Sequence, residues 1–178
     1  LQYWLIVLLR YKLAVTLISY GMYKIIKTQF PFPSLLRLDQ TIGDMSPMGL
    51  AWTYMGFSSG YNLFTGLAEF TGGFLLFFRR TTLMGALISI TVLLNIVAMN
   101  LFYDIPVKLF SIHLLVMALL IALPDAKRLI DLFFLNKAVP AANHWHPTFH
   151  TKWKRTEVRM RSRFTPFQNR VIGRFLLR

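Results

Sequence analysis

The sequence predicts an all-α membrane protein: a bundle of four transmembrane helices with both termini in the cytoplasm and a basic cytoplasmic tail. Three observations support this. First, 55% of the 178 residues are hydrophobic and only 15% are charged, which is more apolar than a soluble domain of this size allows. Second, four stretches are long enough to cross a hydrocarbon core, which takes about 20 helical residues. Third, residues 125–178 hold 12 Lys or Arg and 3 Asp or Glu, so this region carries +9 of the net charge of +13.

The chain therefore divides into a transmembrane domain over residues 1–124 and an interfacial helix with a basic tail over residues 125–178. The second predicted span is short and contains Glu69, and taken alone it is also compatible with a buried helix of a soluble protein. Four apolar segments in succession favour the membrane instead. The predicted spans cover residues 3–27, 61–78, 81–103 and 105–123.

The orientation follows from the short connections between spans. Arg79 and Arg80 separate the second span from the third, and basic residues favour the cytoplasmic side. This choice also puts the basic tail and the Arg10 end of the first span in the cytoplasm. Residues 28–60 are then expected outside.

The external connection contains a helix start signal. Ser46 and Pro47 have the types preferred at the N-cap and the first helical position, and they predict a short helix over residues 47–57. Trp52 and Tyr54 within it are typical of the membrane–water interface. Two alternatives are open: the helix covers the outer mouth of the bundle, or it lies on the lipid surface and covers nothing.

Small and polar residues of the second span recur at spacings of three and four, so they share one helical face. In lipid this face is expected to turn inward, because small residues let helices approach closely and a carboxylic acid is costly in hydrocarbon. The third span repeats the pattern through Gly85, Ser89 and Asn95. The residues of the second span are Asn62, Thr65, Gly66, Glu69, Gly72 and Gly73.

Each predicted span offers a polar side chain at a similar depth. Counted at about 1.5 Å per residue from the outer ends, Glu69, Asn95 and His113 lie roughly 12 Å deep and Tyr20 about 10 Å. The polar groups concentrate in the outer half of the bundle, which predicts a site that opens outward. The candidate ligand-binding residues are Tyr20, Lys24, Asn62, Glu69, Asn95, Asn100 and His113.

Glu69 is the first candidate for function, as a proton carrier or a ligand contact. Its alternative role is structural: a protonated Glu69 hydrogen-bonded to Asn95, His113 or Tyr20 would hold helices together. For His113 the alternative to ligand binding is likewise a structural role, as a packed and hydrogen-bonded side chain. Lys24 and Lys108 are residues that commonly extend to the headgroups, and Lys108 is also placed to pair with Asp104 four residues earlier.

The region after Pro124 predicts an interfacial helix over residues 125–135 and then a loop. A strand with one charged face is predicted after the loop, because charged and uncharged residues alternate from residue 155 to 164. Anionic lipid or another protein subunit is the expected partner, and nucleic acid is not, because no recognition motif accompanies the charge. The candidate docking residues are Lys127, Arg128, Lys152, Lys154, Arg155, Arg159, Arg161 and Arg163.

Metal binding is not predicted. The sequence contains no cysteine, which excludes a disulfide framework and Cys-ligated zinc or iron–sulfur sites. His144, His146 and His150 have spacings that a metal can use, but no carboxylate or thiol accompanies them, so they are weak candidates.

Several motifs resemble the DoxX family of small four-helix membrane proteins. They are a Gly-x-x-Lys ending the first span at Lys24, and Glu69 followed by Gly72-Gly73 and then Arg79. The third and fourth spans are also similar, and the resemblance covers about residues 10–130, leaving the tail outside it. It implies a bacterial inner-membrane protein whose relatives include the membrane subunit of thiosulfate:quinone oxidoreductase, with a quinone as the redox group and Glu69, Tyr20 or His113 as its proton partners.

Three functions follow as hypotheses. The leading one is a membrane subunit of a larger respiratory or redox-linked complex, with a polar pocket in the outer half of the bundle for a quinone or lipophilic ligand. If the protein takes part in an enzyme, it does so at most as the membrane subunit of a quinone-linked oxidoreductase. The second is a non-catalytic scaffold or assembly subunit whose basic tail docks partner proteins or anionic lipid. The third is a transporter component, although no inverted repeat supports it.

Overall fold

The computed structural model describes residues 2–139, with side chains from residue 4 onward, and this part of the chain is helical between short connections. Short 3-10 turns precede the third and the last helix, at Ile42–Asp44 and Leu123–Asp125. Within residues 2–139 the α-helices are α1 (Gln2–Ile25), α2 (Leu35–Asp39), α3 (Pro47–Phe57), α4 (Ser59–Phe77), α5 (Thr82–Phe102), α6 (Lys108–Ala122) and α7 (Ala126–Phe133).

The four long helices form the bundle. α1 packs against α4 and α6, and α5 packs against α4 and α6, so the four helices surround a common interior. The apolar core of this bundle includes the fully buried Leu13, Leu76 and Ala118. The all-helical fold class predicted from the sequence is confirmed for the described residues.

Three helical segments between residues 2 and 139 are long and apolar enough to cross a membrane: Trp4–Ile25, Thr82–Phe102 and Lys108–Phe133. The molecule therefore belongs to the helical membrane proteins. α4 corresponds to the second predicted span and packs in the same bundle, but it is not among these three. Its polar and small residues, including Asn62 and Glu69, lower its hydropathy relative to the neighbouring helices.

The ends of the helices follow local sequence signals. The predicted helix over residues 47–57 is confirmed: Pro47 is its first residue, and the Ser46 hydroxyl caps it by accepting a hydrogen bond of 3.1 Å from the Gly49 N–H. Ser58 caps α4 in the same way, through the Tyr61 N–H at 3.2 Å. Side-chain oxygens thus satisfy N–H groups that a helix start leaves unpaired.

α6 begins later than predicted, at Lys108 rather than at residue 105. Asp104 has φ of 51°, and the Ile105 N–H donates back to the Asn100 carbonyl at 3.0 Å, which closes α5 with a left-handed cap. The chain then needs the turn around Pro106 before it can resume a helix.

Close approach of α1 and α4 depends on two glycines. A Cβ on Gly21 would lie 2.7 Å from the Gly66 carbonyl oxygen, and a Cβ on Gly66 would lie 2.8 Å from the Gly21 carbonyl oxygen. Only glycine lets the two backbones come this near. The small residues of the second predicted span do face the bundle interior, with Gly66, Gly72 and Gly73 all buried.

α7 occupies most of the predicted interfacial helix. Asp125 does not cap it with a side-chain hydrogen bond to the backbone; its carboxylate instead accepts a hydrogen bond from Arg128. Ile130 and Phe133 are exposed on this helix. The predicted strand over residues 155–164 and the histidine-containing loop before it lie outside the described residues.

Candidate functional site

Lys24 and Glu69 form a buried ion pair between α1 and α4. The Lys24 ammonium donates a hydrogen bond to Oε1 of Glu69, and the two residues are only 6% and 2% exposed. Lys24 therefore turns into the bundle and does not extend to the headgroups. The partner of Glu69 is also not one of the three expected from the sequence, namely Asn95, His113 and Tyr20.

The glycine contact explains why this pair can form. Lys24 follows Gly21 in the sequence by about one helical turn, and Glu69 follows Gly66 by the same spacing. The Cβ of Lys24 lies 3.0 Å from the position that a Cβ on Gly66 would take. The lysine stem thus runs along the surface that the absent side chain leaves free, and its ammonium reaches the carboxylate.

One carboxylate oxygen of Glu69, Oε1, accepts the hydrogen bond from Lys24. Among the residues that the structure describes, the other oxygen, Oε2, has no hydrogen-bond partner, although it is buried. A buried polar atom without a partner costs about 1–3 kcal/mol, so the pair is assembled at an energetic cost.

Glu69 borders a cavity of about 460 Å³ that is lined by residues of α1, α3, α4, α5 and α6 and of the connections between them. Polar side chains cluster along part of its wall, and aromatic and aliphatic side chains make up most of the rest. Of the predicted ligand-binding residues, Tyr20, Lys24, Glu69, Asn95 and Asn100 all line this cavity.

α3 contributes to the lining of the cavity. Met48, Trp52 and Met55 of this helix line it, so α3 lies against the interior of the bundle. The Trp52 ring packs edge-on against the Phe30 ring, with ring centroids 5.0 Å apart. The Lys24 ammonium nitrogen in turn lies 5.9 Å from the centroid of the Phe30 ring. An aromatic pair therefore lies next to the ion pair.

Two predicted ligand-binding residues are not brought to the cavity. Asn62 is fully buried, but its amide donates a hydrogen bond of 3.1 Å to the Phe30 carbonyl, so it anchors the connection after α1. His113 is exposed on α6, and its Nδ1 lies 2.6 Å from the Leu109 carbonyl oxygen. The buried face of α6 carries Ser111 and Leu114, and His113 projects away from it.

Gln29 is a cavity residue that sequence reasoning missed. It lies in the connection after α1, and its Oε1 is buried without a partner among the described residues. No periodic pattern includes it, because it lies beyond the end of the helix. Its side chain is positioned only when the connection folds back over the bundle.

The predicted pair between Asp104 and Lys108 is confirmed at the turn between α5 and α6. Both side chains are accessible, and the hydrogen bond from Lys108, aided by its charge, lowers the pKa of the Asp104 carboxyl. Pairs of this kind four residues apart form through local geometry alone.

The remaining candidates are the predicted docking residues and the predicted metal ligands. Lys127 and Arg128 lie on α7. Within residues 2–139 no group of three or more metal-ligating side chains occurs. The docking candidates Lys152, Lys154, Arg155, Arg159, Arg161 and Arg163 and the weak metal candidates His144, His146 and His150 lie outside the described residues.

The fold and the site define a class: a small helical membrane protein with a buried Lys–Glu pair beside a cavity. No family model and no solved structure matches the sequence. The uncharacterized protein YwoB of Bacillus subtilis (strain 168) is 31% identical over 130 residues, which cover 68% of this chain and 77% of YwoB. The chain belongs to the same protein family as YwoB.

Proposed function

We propose that the protein is a DoxX-like, four-span subunit of the bacterial cytoplasmic membrane that binds a quinone or a similar lipophilic ring compound in the cavity. Both termini lie in the cytoplasm, α4 is the second of the four spans, and α3 covers the outer mouth. The protein serves a larger, respiratory or redox-linked complex. The observation that carries the proposal is the buried Lys24–Glu69 ion pair, both members of which line a cavity large enough for a ligand.

The cavity has the dimensions and chemistry of a small-molecule site. Its volume of about 460 Å³ falls within the range usual for such pockets. Phe30, Trp52, Phe64 and Phe110 are among its lining residues, and they supply flat apolar surfaces against which a ring can stack. A few polar groups within apolar walls are the usual means of orienting a lipophilic ligand.

The Lys–Glu pair supplies this orientation. The Lys24 ammonium keeps the carboxylate of Glu69 compensated, which makes a carboxylate tolerable in a helical bundle. The pair thereby supplies a polar group at a mostly apolar wall, where it can orient an oxygen of a bound ring. A bound quinone would supply the electron-carrying chemistry, and this chain would bind it, orient it and keep water away.

Ligand binding to the purified protein in lipid nanodiscs tests the proposal. A decyl-substituted benzoquinone quenches tryptophan fluorescence when bound near Trp52, so titration of the wild type should give saturable quenching. Glu69→Gln should weaken this binding at least tenfold, whereas Asp104→Asn, the same chemical change at an exposed carboxylate, should leave it unaltered. Absence of saturable quenching in the wild type would reject the proposal.

A scaffold role is the second candidate, and one observation favours it. α7 exposes Ile130, Leu132 and Phe133 beside Lys127 and Arg128, a mixture suited to a headgroup region or a partner subunit. Replacing the exposed side chains of α7 by Ile130→Ser and Phe133→Ser should then strip partner polypeptides from the protein isolated gently from native membranes. Unchanged co-purification would count against this role.

A further inference from the structure

Arg10 of α1 is a buried charge without a counter-charge in the described part of the chain. The residue is only 8% exposed, and no carboxylate between residues 4 and 139 forms an ion pair with its guanidinium. An arginine keeps its proton in proteins, so it does not escape the cost of burial by becoming neutral. Buried charges are normally paired, and an anion is therefore expected beside Arg10.

Arg10 lies at the end of the bundle where α4 is followed by α5. Its neighbour in the chain, Tyr11, packs on Phe77, the last residue of α4, with ring centroids 5.7 Å apart. Nη1 of Arg10 donates a hydrogen bond of 3.3 Å to the hydroxyl of Thr82, the first residue of α5. The guanidinium is therefore directed at the start of α5.

The start of α5 is itself suited to an anion. Thr81 is the N-cap residue, but its hydroxyl does not cap the helix, because it donates a hydrogen bond of 2.7 Å to the Leu75 carbonyl of α4. The N–H groups in the first turn of a helix have no partner within the helix and carry a partial positive charge. Two independent features, a helix start without a side-chain cap and a buried cation, thus meet at Thr82.

The position of this helix start indicates which anion reaches it. Thr82 is the first residue of a segment able to cross a membrane, so it lies near the boundary of the hydrocarbon layer, where the lipid headgroups are. Thr82 is partly exposed, and Arg79 and Arg80 in the connection before it are exposed. A phosphate group of a lipid is the anion present at this depth.

We propose that Arg10 and the start of α5 bind the phosphate of an anionic phospholipid. The guanidinium presents its N–H groups in a planar fork that matches phosphate, and the first N–H groups of α5 add further donors. An anionic headgroup is favoured over a zwitterionic one, because only the former brings a net negative charge to balance Arg10. The site is separate from the cavity, since neither Arg10 nor Thr82 lines it.

Lipid titration of the full chain in a neutral detergent tests the proposal. Dioctanoyl phosphatidylglycerol should bind saturably, as counted by native mass spectrometry, and should raise the melting temperature. Dioctanoyl phosphatidylcholine and inorganic phosphate should do neither at the same concentration. Equal effects of the two lipids would overturn the proposal, and an equal effect of inorganic phosphate would assign the site to free phosphate instead. These comparisons use the unmodified protein and do not depend on whether a variant folds.

Matched variants locate the lipid. Arg10→Gln should weaken phosphatidylglycerol binding about tenfold, the loss expected for a hydrogen bond between charged groups. Lys12→Gln is the control, since it removes the same charge from an exposed position two residues further along α1. Equal losses in the two variants would show that the lipid responds only to overall charge and would overturn the proposal.

Two further variants test the geometry and the competing anion. Thr82→Val removes the hydroxyl that holds the guanidinium and leaves the charge unchanged, so it should weaken lipid binding severalfold. Glu157, a carboxylate outside the described residues, is the competing partner for Arg10 within the chain. Glu157→Gln should leave lipid affinity unaltered. A rise in affinity would show that this carboxylate occupies the site, and it would overturn the proposal, as would unaltered binding in Thr82→Val.

Discussion

The ammonium of Lys24 and the carboxylate of Glu69, 45 residues apart in the chain, meet inside the bundle where α1 and α4 approach most closely through glycine. The charges of this pair are withdrawn from solvent together. A buried pair is costly to assemble and still more costly to break, because removing one partner leaves the other charge uncompensated. Several properties of the protein should therefore depend on it.

The first prediction concerns stability. Lys24→Met or Glu69→Met alone should lower the free energy of unfolding by about 3–5 kcal/mol, since each leaves one buried charge without its partner. The double variant Lys24→Met/Glu69→Met should recover most of this loss, because apolar side chains of similar size fill the space. Thermal unfolding in detergent compares the stability of the three variants with that of the wild type. Losses that simply add in the double variant would contradict the interpretation.

The second prediction concerns the glycine contact. Gly66→Ala places a Cβ 2.8 Å from the Gly21 carbonyl oxygen, so it should push α1 and α4 apart, destabilise the protein and weaken ligand binding together. Gly60→Ala is the matched control. A Cβ at Gly60 meets nothing within 4 Å, and alanine favours helix, so this change should be neutral or stabilising by up to about 1 kcal/mol. Equal effects of the two substitutions would contradict the prediction.

The third prediction concerns pH. The native pKa of Asp104 is depressed by Lys108, so the stabilisation from this pair is present above the unfolded pKa, about 4. It is lost as the pH falls through the native pKa. Lys108→Met should bring the pKa of Asp104 back towards its ordinary value, as measured by carboxyl-carbon NMR titration. An unaltered titration of Asp104 in this variant would show that Lys108 is not the cause.

The fourth prediction concerns the cover of the cavity. Trp52→Ala removes a ring that lines the cavity and packs on Phe30, so a bound ring compound should dissociate roughly tenfold faster. Phe57→Ala is the control on the same helix, since Phe57 is exposed and stacks on Phe32 away from the cavity lining. Dissociation measured with a fluorescent quinone analogue by stopped flow separates the two. Similar rates in both variants would argue against α3 as a cover.

Much of the fold was predictable from local patterns. Runs of apolar residues predicted the long helices, Ser46 and Pro47 predicted the start of α3, and the spacing of Asp104 and Lys108 predicted their ion pair. Each of these depends on residues within one or two turns of each other. Hydropathy, capping and contacts four residues apart are properties of a short segment, so the sequence carries them directly.

The residues of the candidate site were only partly predictable from the sequence. Counting along the helices placed Glu69, Asn95 and His113 at one level, and the structure turns His113 outward. The position of a residue along a helix gives its height, whereas the face that turns inward depends on how neighbouring helices pack. In α6 the inward face is set by Ser111 and Leu114.

The sequence by itself determined the helical class of this protein, its apolar segments and the polar face of α4. Only the tertiary structure decided that Lys24 pairs with Glu69, that Gln29 reaches the cavity and that α3 lines it. The physical reason is that these contacts join segments far apart in the chain. They depend on the rotation and register of whole helices, which the close backbone contact at Gly21 and Gly66 sets for α1 and α4.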